Sequence, residues 1–270
     1  MTGRLAGRTC LVTGATGMAA DAARRFAAEG AEVVVLDRDA GHCEDLGLPY
    51  VIADLADEEA AEAAFARVRE MLPRLDAAYA VAGGSGRRFG DGPTHAVGLQ
   101  AWRATLSLNL DPAFLTAREA VRCMLGQPRD RDGARGSVVV MTSVLAASPA
   151  SLFATHAYAA AKAGAVGLVR AMAAAYAADG VRVNALAPGL VRTPMAARAA
   201  ADPATVAYAR QRQALRGDLL DPAEVTDAAL FLMARDSRAV TGQLIAVDGG
   251  WQVLDGAPDP ARARPDQEDP

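Results

Sequence analysis

Short apolar runs, rich in β-branched residues, fall at 9–13, 32–36, 50–53, 77–81, 137–142, 181–187 and 244–247. Within each run the apolarity is continuous rather than alternating, which is the pattern of strands covered on both faces. Ala-rich stretches of helical character separate them, at 20–29, 57–72, 99–125, 158–178 and 222–234. Such alternation over almost the whole chain predicts one α/β domain over residues 1–254: a doubly wound parallel sheet of about seven strands with helices on both faces. Several boundaries carry a mechanism. Gly30 and Gly180 stand where helices should stop, because glycine adopts the left-handed conformation there without steric cost. Asp221-Pro222-Ala223-Glu224 supplies an N-cap, a first-turn proline and a reciprocal acid. Asp57-Glu58-Glu59 sets negative charge at the positive end of a helix dipole, as a solvated helix start does. Neither a repeat nor a linker divides the chain, and residues 255–270, crowded with Pro, Asp and Arg, are expected to be a disordered tail.

Composition narrows the classes of function. A chain of 270 residues that is 51% hydrophobic can bury a sizeable core, and its net charge of -4 argues against a nucleic-acid partner. No run approaches the ~18 apolar residues of a membrane span, and residues 1–8 lack the apolar segment of a secretory signal. Cys10, Cys43 and Cys123 show no CxxC or Cys/His ligand spacing. The expectation is a cytoplasmic protein with free thiols, no metal site, no membrane or nucleic-acid partner, and a small-molecule ligand.

Candidate chemistry begins at the first strand, which runs into Thr13-Gly14-Ala15-Thr16-Gly17-Met18-Ala19-Ala20 ahead of a helix. Glycines at such a turn let the backbone approach a pyrophosphate while the helix N-terminus offers oriented N–H groups. Asp37 ends the second strand at the ~20-residue separation of a dinucleotide fingerprint, so the fold is expected to be Rossmann-like. A carboxylate at Asp37 accepts hydrogen bonds from ribose hydroxyls and repels a 2′-phosphate, which favours NAD over NADP. Arg38 beside it is the residue able to pair with that phosphate.

A second set lies further along. Tyr158 and Lys162 are four apart at the start of a long helical stretch, which puts them on one face. A free phenol titrates near ~10 and shuttles protons poorly at neutrality; an adjacent ammonium and an oxidised nicotinamide are expected to favour its phenolate. Ser143 follows the fifth strand, at the sheet edge where ligands of open α/β sheets bind. Asn109 sits within a helical stretch, where its side chain can free a backbone carbonyl to hold a water.

Taken together, these motifs resemble the short-chain dehydrogenase/reductase family, in its single-domain branch of about 250 residues. The likeness runs from about Leu5 to Gln252 and includes Gly14, Gly17, Asp37, Asp54-Leu55, Ala82-Gly83, Asn109, Ser143, Tyr158, Lys162, Asn184, Pro188-Gly189, Thr193, Thr241-Gly242 and Asp248-Gly249-Gly250. The resemblance implies that Tyr158 is the acid/base and that Lys162 binds the nicotinamide ribose. It implies that Ser143 holds the substrate oxygen and Asn109 positions a relay water. Thr16 and Met18 would join the glycines in the cofactor loop, Asp54 and Leu55 would contact adenine, and Ala82 and Gly83 would lie along the dinucleotide. Pro188, Gly189, Val191 and Thr193 would contact the carboxamide. It also implies a homotetramer or homodimer, and hydride transfer between NAD(H) and a carbonyl or secondary alcohol. An epimerase or dehydratase on the same scaffold, and a non-catalytic dinucleotide-binding regulator, are the alternatives.

The chain departs from the family pattern in three places. The glycine loop is one residue shorter than TGxxxGxG, and Ala19 or Ala20 stands where the third glycine is expected. An apolar Val81-Ala82-Gly83 replaces the family's Asn-Ala-Gly, and fourteen residues separate Ser143 from Tyr158, more than the commonest spacing. Residues 194–218 are expected to form a mobile helical lid over the substrate. Its Arg198, Arg210, Arg212 and Arg216 offer either an anion site or, the preferred reading, a solvated helix face. Arg87 and Arg88 leave the same choice open, and His156 either approaches the substrate or faces solvent.

Overall fold

A computed structural model describes residues 3–254; the tail expected at 255–270 lies outside the described residues. Seven strands form one sheet: β1 (Thr9–Thr13), β2 (Glu32–Asp37), β3 (Tyr50–Ile52), β4 (Ala77–Ala80), β5 (Gly136–Met141), β6 (Val181–Pro188) and β7 (Leu244–Val247). Their order is β3-β2-β1-β4-β5-β6-β7, and all neighbours pair in parallel. The four central strands are buried almost throughout, whereas the edge strands β3 and β7 are half exposed. This follows from the continuous apolar runs, because only strands covered on both sides can afford them.

The helices are α1 (Gly17–Ala28), α2 (Ala40–Glu44), α3 (Glu58–Met71), α4 (Leu99–Asn109), α5 (Asp111–Leu125), α6 (His156–Tyr176), α7 (Ala197–Ala200), α8 (Pro203–Arg212) and α9 (Pro222–Met233). One core layer packs α3, α5 and α6 against the sheet through Phe65, Met124 and Val169. The other packs α1 and α9 through Phe26, Leu230 and Leu232. Among the described residues, no helix is long and apolar enough to cross a membrane.

Local chemistry sets the boundaries. Gly30 and Gly180 adopt φ of 86° and 82° just past their helices. The Asp57 carboxylate accepts the Ala60 N–H at 2.8 Å, and the Glu224 carboxylate accepts the Asp221 N–H at 2.8 Å. The single helix expected over 99–125 is two. It breaks at Leu110 because Pro112 has no N–H to donate and its ring would crowd the carbonyl one turn back. The short α2 was not foreseen; the Asp39 side chain caps it by accepting from the His42 N–H.

Thr13 joins the two halves of the sheet at its carboxyl edge. Its buried hydroxyl accepts the N–H groups of both Val81 (3.0 Å) and Ala82 (3.1 Å). This tie supplies cross-strand bonding from β1 where Val81-Ala82-Gly83 lacks the family's asparagine. Thr13→Val keeps the shape but strands two N–H groups, so it should lower stability by about 2 kcal/mol or more in urea unfolding. A loss under about 0.5 kcal/mol would show that the tie is dispensable.

Candidate active site

Parallel strands deliver all their carboxyl ends to one edge, and the loops that follow them build the site there. After β1, Gly14 has φ of 94° and Gly17 φ of 54°. A Cβ on Gly17 would stand 3.1 Å from the Thr193 side chain, and one on Gly14 would stand 3.2 Å from the Ala19 methyl. Ala19 is therefore the alanine that closes on the loop, and its methyl fits because Gly14 has no side chain. Asp37, at the end of β2, is held by its neighbours: its two carboxylate oxygens accept the N–H groups of Ala15 at 2.8 Å and Asp39 at 2.9 Å.

The candidate catalytic set comes from β5 and α6. Ser143 follows β5; its hydroxyl accepts the Leu145 N–H at 3.2 Å and lies close enough to the Tyr158 phenol to act on its pKa. The fourteen residues between them include an irregular loop, where Ala154 takes φ of 28°, a conformation side chains rarely adopt. Tyr158 is fixed by the start of its own helix. The buried Asp91 carboxylate accepts the N–H groups of Ala157 and Tyr158, both at 3.0 Å, and the Gly92 carbonyl accepts that of His156. Asp91 lies in a Gly-Asp-Gly-Pro turn that reads as a bare loop, so sequence reasoning missed it. His156 does not line the main cavity; its Nδ1 accepts the Thr94 N–H at 3.0 Å.

Lys162, one turn beyond Tyr158, donates to the Met141 carbonyl at 3.1 Å and lies 5.7 Å from the centre of the tyrosine ring. Burial holds its ammonium down, to a pKa of about 8. The expectation that the phenol's pKa is lowered on balance is corrected here. Burial pushes Tyr158 up, and the Ser143 hydroxyl beside it draws it back. Asn109 ends α4, fully buried. Its amide donates to the Gly84 and Thr105 carbonyls at 3.0 Å, and its oxygen accepts the Gly84 N–H at 3.1 Å. A Cβ on Gly83 would stand 2.9 Å from that oxygen and 3.6 Å from Lys162 Nζ, so glycine is required where these two groups converge.

After β6, Pro188, Gly189, Val191 and Thr193 lead into the helical segment. Gln213, buried beneath them, accepts the Leu190 N–H and donates to its carbonyl; a Cβ on Gly189 would collide with it at 2.2 Å. Nothing in the sequence marked Gln213.

One cavity of about 1070 Å³ gathers all of this. Its wall includes Gly14, Thr16, Gly17, Met18, Asp37, Arg38, Asp54 and Leu55 along one half of the sheet edge. Ala82, Gly83, Asn109, Ser143, Tyr158, Lys162, Pro188, Gly189, Val191 and Thr193 line the remainder. Its size is at the upper end for small-molecule and cofactor sites, and the glycine cradle beside a helix N-terminus fits a pyrophosphate. Segment 194–212 adds Met195, Ala196, Arg198, Ala199, Asp202 and Thr205 to the wall. The other arginines foreseen there turn elsewhere: Arg210 and Arg216 pair with Asp218 and Asp221, and Arg212 donates to the Trp251 carbonyl.

A family profile described as Enoyl-(Acyl carrier protein) reductase matches residues 12–252. The chain belongs to the short-chain dehydrogenase/reductase family. It is 35% identical to cis-4-hydroxycyclohexanecarboxylate dehydrogenase of Sinomonas cyclohexanicum, over 92% of this chain and 97% of that one. It is 33% identical to galactitol 2-dehydrogenase (L-tagatose-forming) of Cereibacter sphaeroides, over 93% and 97%. A Beutenbergia cavernae structure, named for NAD(P)-dependent gluconate 5-dehydrogenase and holding NADP at low occupancy, superposes with a TM-score of 0.81 at 34% identity, covering 92% and 97%. The short-chain dehydrogenase/reductase described here is thus an oxidoreductase acting between alcohol and carbonyl carbons with a nicotinamide dinucleotide.

The buried Lys162 gives a stability signature. An unfolded lysine keeps its proton to about 10.4, so between pH 8 and that value the unfolded chain binds more protons and stability rises with pH. Below pH 8 the full desolvation penalty is felt. Lys162→Met should therefore stabilise the cofactor-free protein at pH 7 by up to about 3 kcal/mol, with the gain shrinking towards pH 10. Urea unfolding at both pH values checks this; a variant less stable than the parent at pH 7 would contradict it.

Proposed function

We propose that this enzyme uses NAD(H) in preference to NADP(H), with Tyr158 moving the proton at the substrate oxygen. The observation that carries the reading is the convergence of Tyr158, Ser143 and Lys162 on the same cavity as the glycine loop and Asp37. When bound, the dinucleotide supplies or takes the hydride. The chain's own residues do the rest. The Ser143 hydroxyl, beside the phenol, holds the substrate oxygen, and Tyr158 gives that oxygen a proton in reduction or takes one in oxidation. Lys162 Nζ, pinned on the Met141 carbonyl, binds the nicotinamide ribose. Asn109 acts as a positioning residue through Gly84, alongside the relay-water role that the family likeness implies.

The cofactor preference is supported by Asp37. Its carboxylate is oriented by two backbone N–H groups, with Asp39 and Asp54 on the same wall. Negative charge so placed accepts hydroxyls and opposes a phosphate. Arg38 is the counterweight, and the NADP in the Beutenbergia cavernae protein is a reason for measuring the ratio. Segment 194–218 serves as the cover over the substrate. The homotetramer or homodimer belongs to this reading too, supported by the exposed Leu99 on α4 and Phe114 on α5. A cytoplasmic setting is supported by the three free cysteines.

Two measurements decide the reading. Tyr158→Phe should lower kcat at least a thousandfold on a panel of ketones and secondary alcohols while NAD still binds; activity within tenfold of the parent would remove Tyr158 from the mechanism. Asp37→Ala should cut the NAD-to-NADP ratio of kcat/KM at least tenfold. The ratio is the proper readout, because losing the Ala15 bond loosens the loop for both cofactors alike. An unmoved ratio would mean that Asp37 does not select.

A further inference from the structure

The relatives are named for both carboxylate-bearing and neutral substrates, so kinship alone does not say which kind this chain takes. The cavity wall does. Beyond the catalytic set, the wall is largely apolar, with Leu145, Leu152, Phe153, Met195 and Trp251. Three arginines reach this part of the wall, Arg87 and Arg88 from the turn Gly86–Phe89 and Arg198 from α7; Arg88 lies over the Phe89 ring at 4.6 Å, which leaves Arg87 and Arg198 for a ligand. Arg87 is held in place: its Nη2 donates to the Phe153 carbonyl at 2.6 Å, on the stretch leading into the catalytic helix.

Each has a carboxylate nearby but none in contact: Asp91 acts on Arg87 and Asp202 on Arg198, and neither acid forms an ion pair with them. Burial, and then the nearby Arg198, depress the Arg87 pKa, with Asp91 pulling the other way. Asp91 has given both oxygens to the start of α6. Asp202 accepts the N–H and the hydroxyl of Thr205 as the cap of α8. Neither Arg87 nor Arg198 forms an ion pair among the described residues, whereas Arg192, Arg210 and Arg216 nearby all pair with acids. Arg87 is half-buried and Arg198 exposed at the cavity wall, both with guanidinium donors that no carboxylate holds, and guanidinium forks suit a carboxylate.

We propose that Arg87 and Arg198 bind a carboxylate of the substrate, so that the enzyme interconverts hydroxy acids and oxo acids whose hydrocarbon body lies on the apolar wall. This rests on the reaction proposed above and adds the substrate class. For Arg198 it takes the anion site over the solvated helix face, the two readings that the sequence left open.

The test uses the NAD-loaded protein and a panel of cyclic and linear hydroxy acids, each paired with its primary amide. Binding is followed by tryptophan fluorescence, since Trp251 lines the cavity, and turnover by absorbance of the reduced nicotinamide. Acids should bind, and react in kcat/KM, at least tenfold better than their amides. The double variant Arg87→Gln/Arg198→Gln should collapse that ratio to within about twofold, acting through KM, with NAD affinity unmoved. If no acid binds better than its amide, or if the ratio survives the double variant, the carboxylate site is overturned. Acids and amides turned over equally, at rates that depend on Tyr158, would sink the carboxylate site and leave the reaction standing. Preferred binding of acids without turnover would keep the carboxylate site and sink the reaction.

Discussion

A lysine enclosed in this protein has a backbone carbonyl for company and no carboxylate. Lys162 is 4% exposed and rests on Met141, the last residue of β5. Such a cation costs free energy that nearby packing has to offset, and the surroundings are arranged to hold it anyway. Gly83 is bare of a side chain where the ammonium and Asn109 converge. The helix that carries Lys162 is tethered at its start by Asp91. A site built this way accepts lower stability in exchange for a fixed positive charge beside the phenol.

The sheet makes that arrangement possible. Because all seven strands run the same way, the glycine loop, Asp37, Ser143 and the Pro188–Thr193 stretch emerge at one edge without long connections. The loops then brace one another. Thr13 spans from β1 to the start of the loop after β4, Thr193 packs on Gly17, and Asp37 accepts from Ala15. No element of the cleft stands alone, so its two halves keep their spacing.

Much of this was legible in the sequence, for reasons that differ by residue. The seven strands were readable because strands buried on both faces leave uninterrupted apolar runs, and β1 and β7 have the predicted bounds. Tyr158, Lys162, Ser143 and Asn109 were readable through the order of several motifs along one chain. What stayed hidden depends on contacts between residues far apart in sequence. Asp91 caps a helix that begins 65 residues later, and Gln213 grips a loop on another element; no local pattern announces either. The break at Leu110 has a local cause in Pro112, which a reading of the helical stretch as one unit does not register. The direction in which the Tyr158 phenol shifts turned on burial, which spacing cannot report.

Gln213 has a mechanical consequence. It clasps both backbone groups of Leu190 from the C-terminal end of α8, and Gly249 packs against its backbone from below. Lifting α8 away would strand a buried amide and two peptide groups at once, which is costly enough to forbid independent movement. The strand-end loop and the helices above it must therefore swing as one leaf. A displacement of α8 is thereby passed directly to the Pro188–Thr193 stretch of the cavity wall.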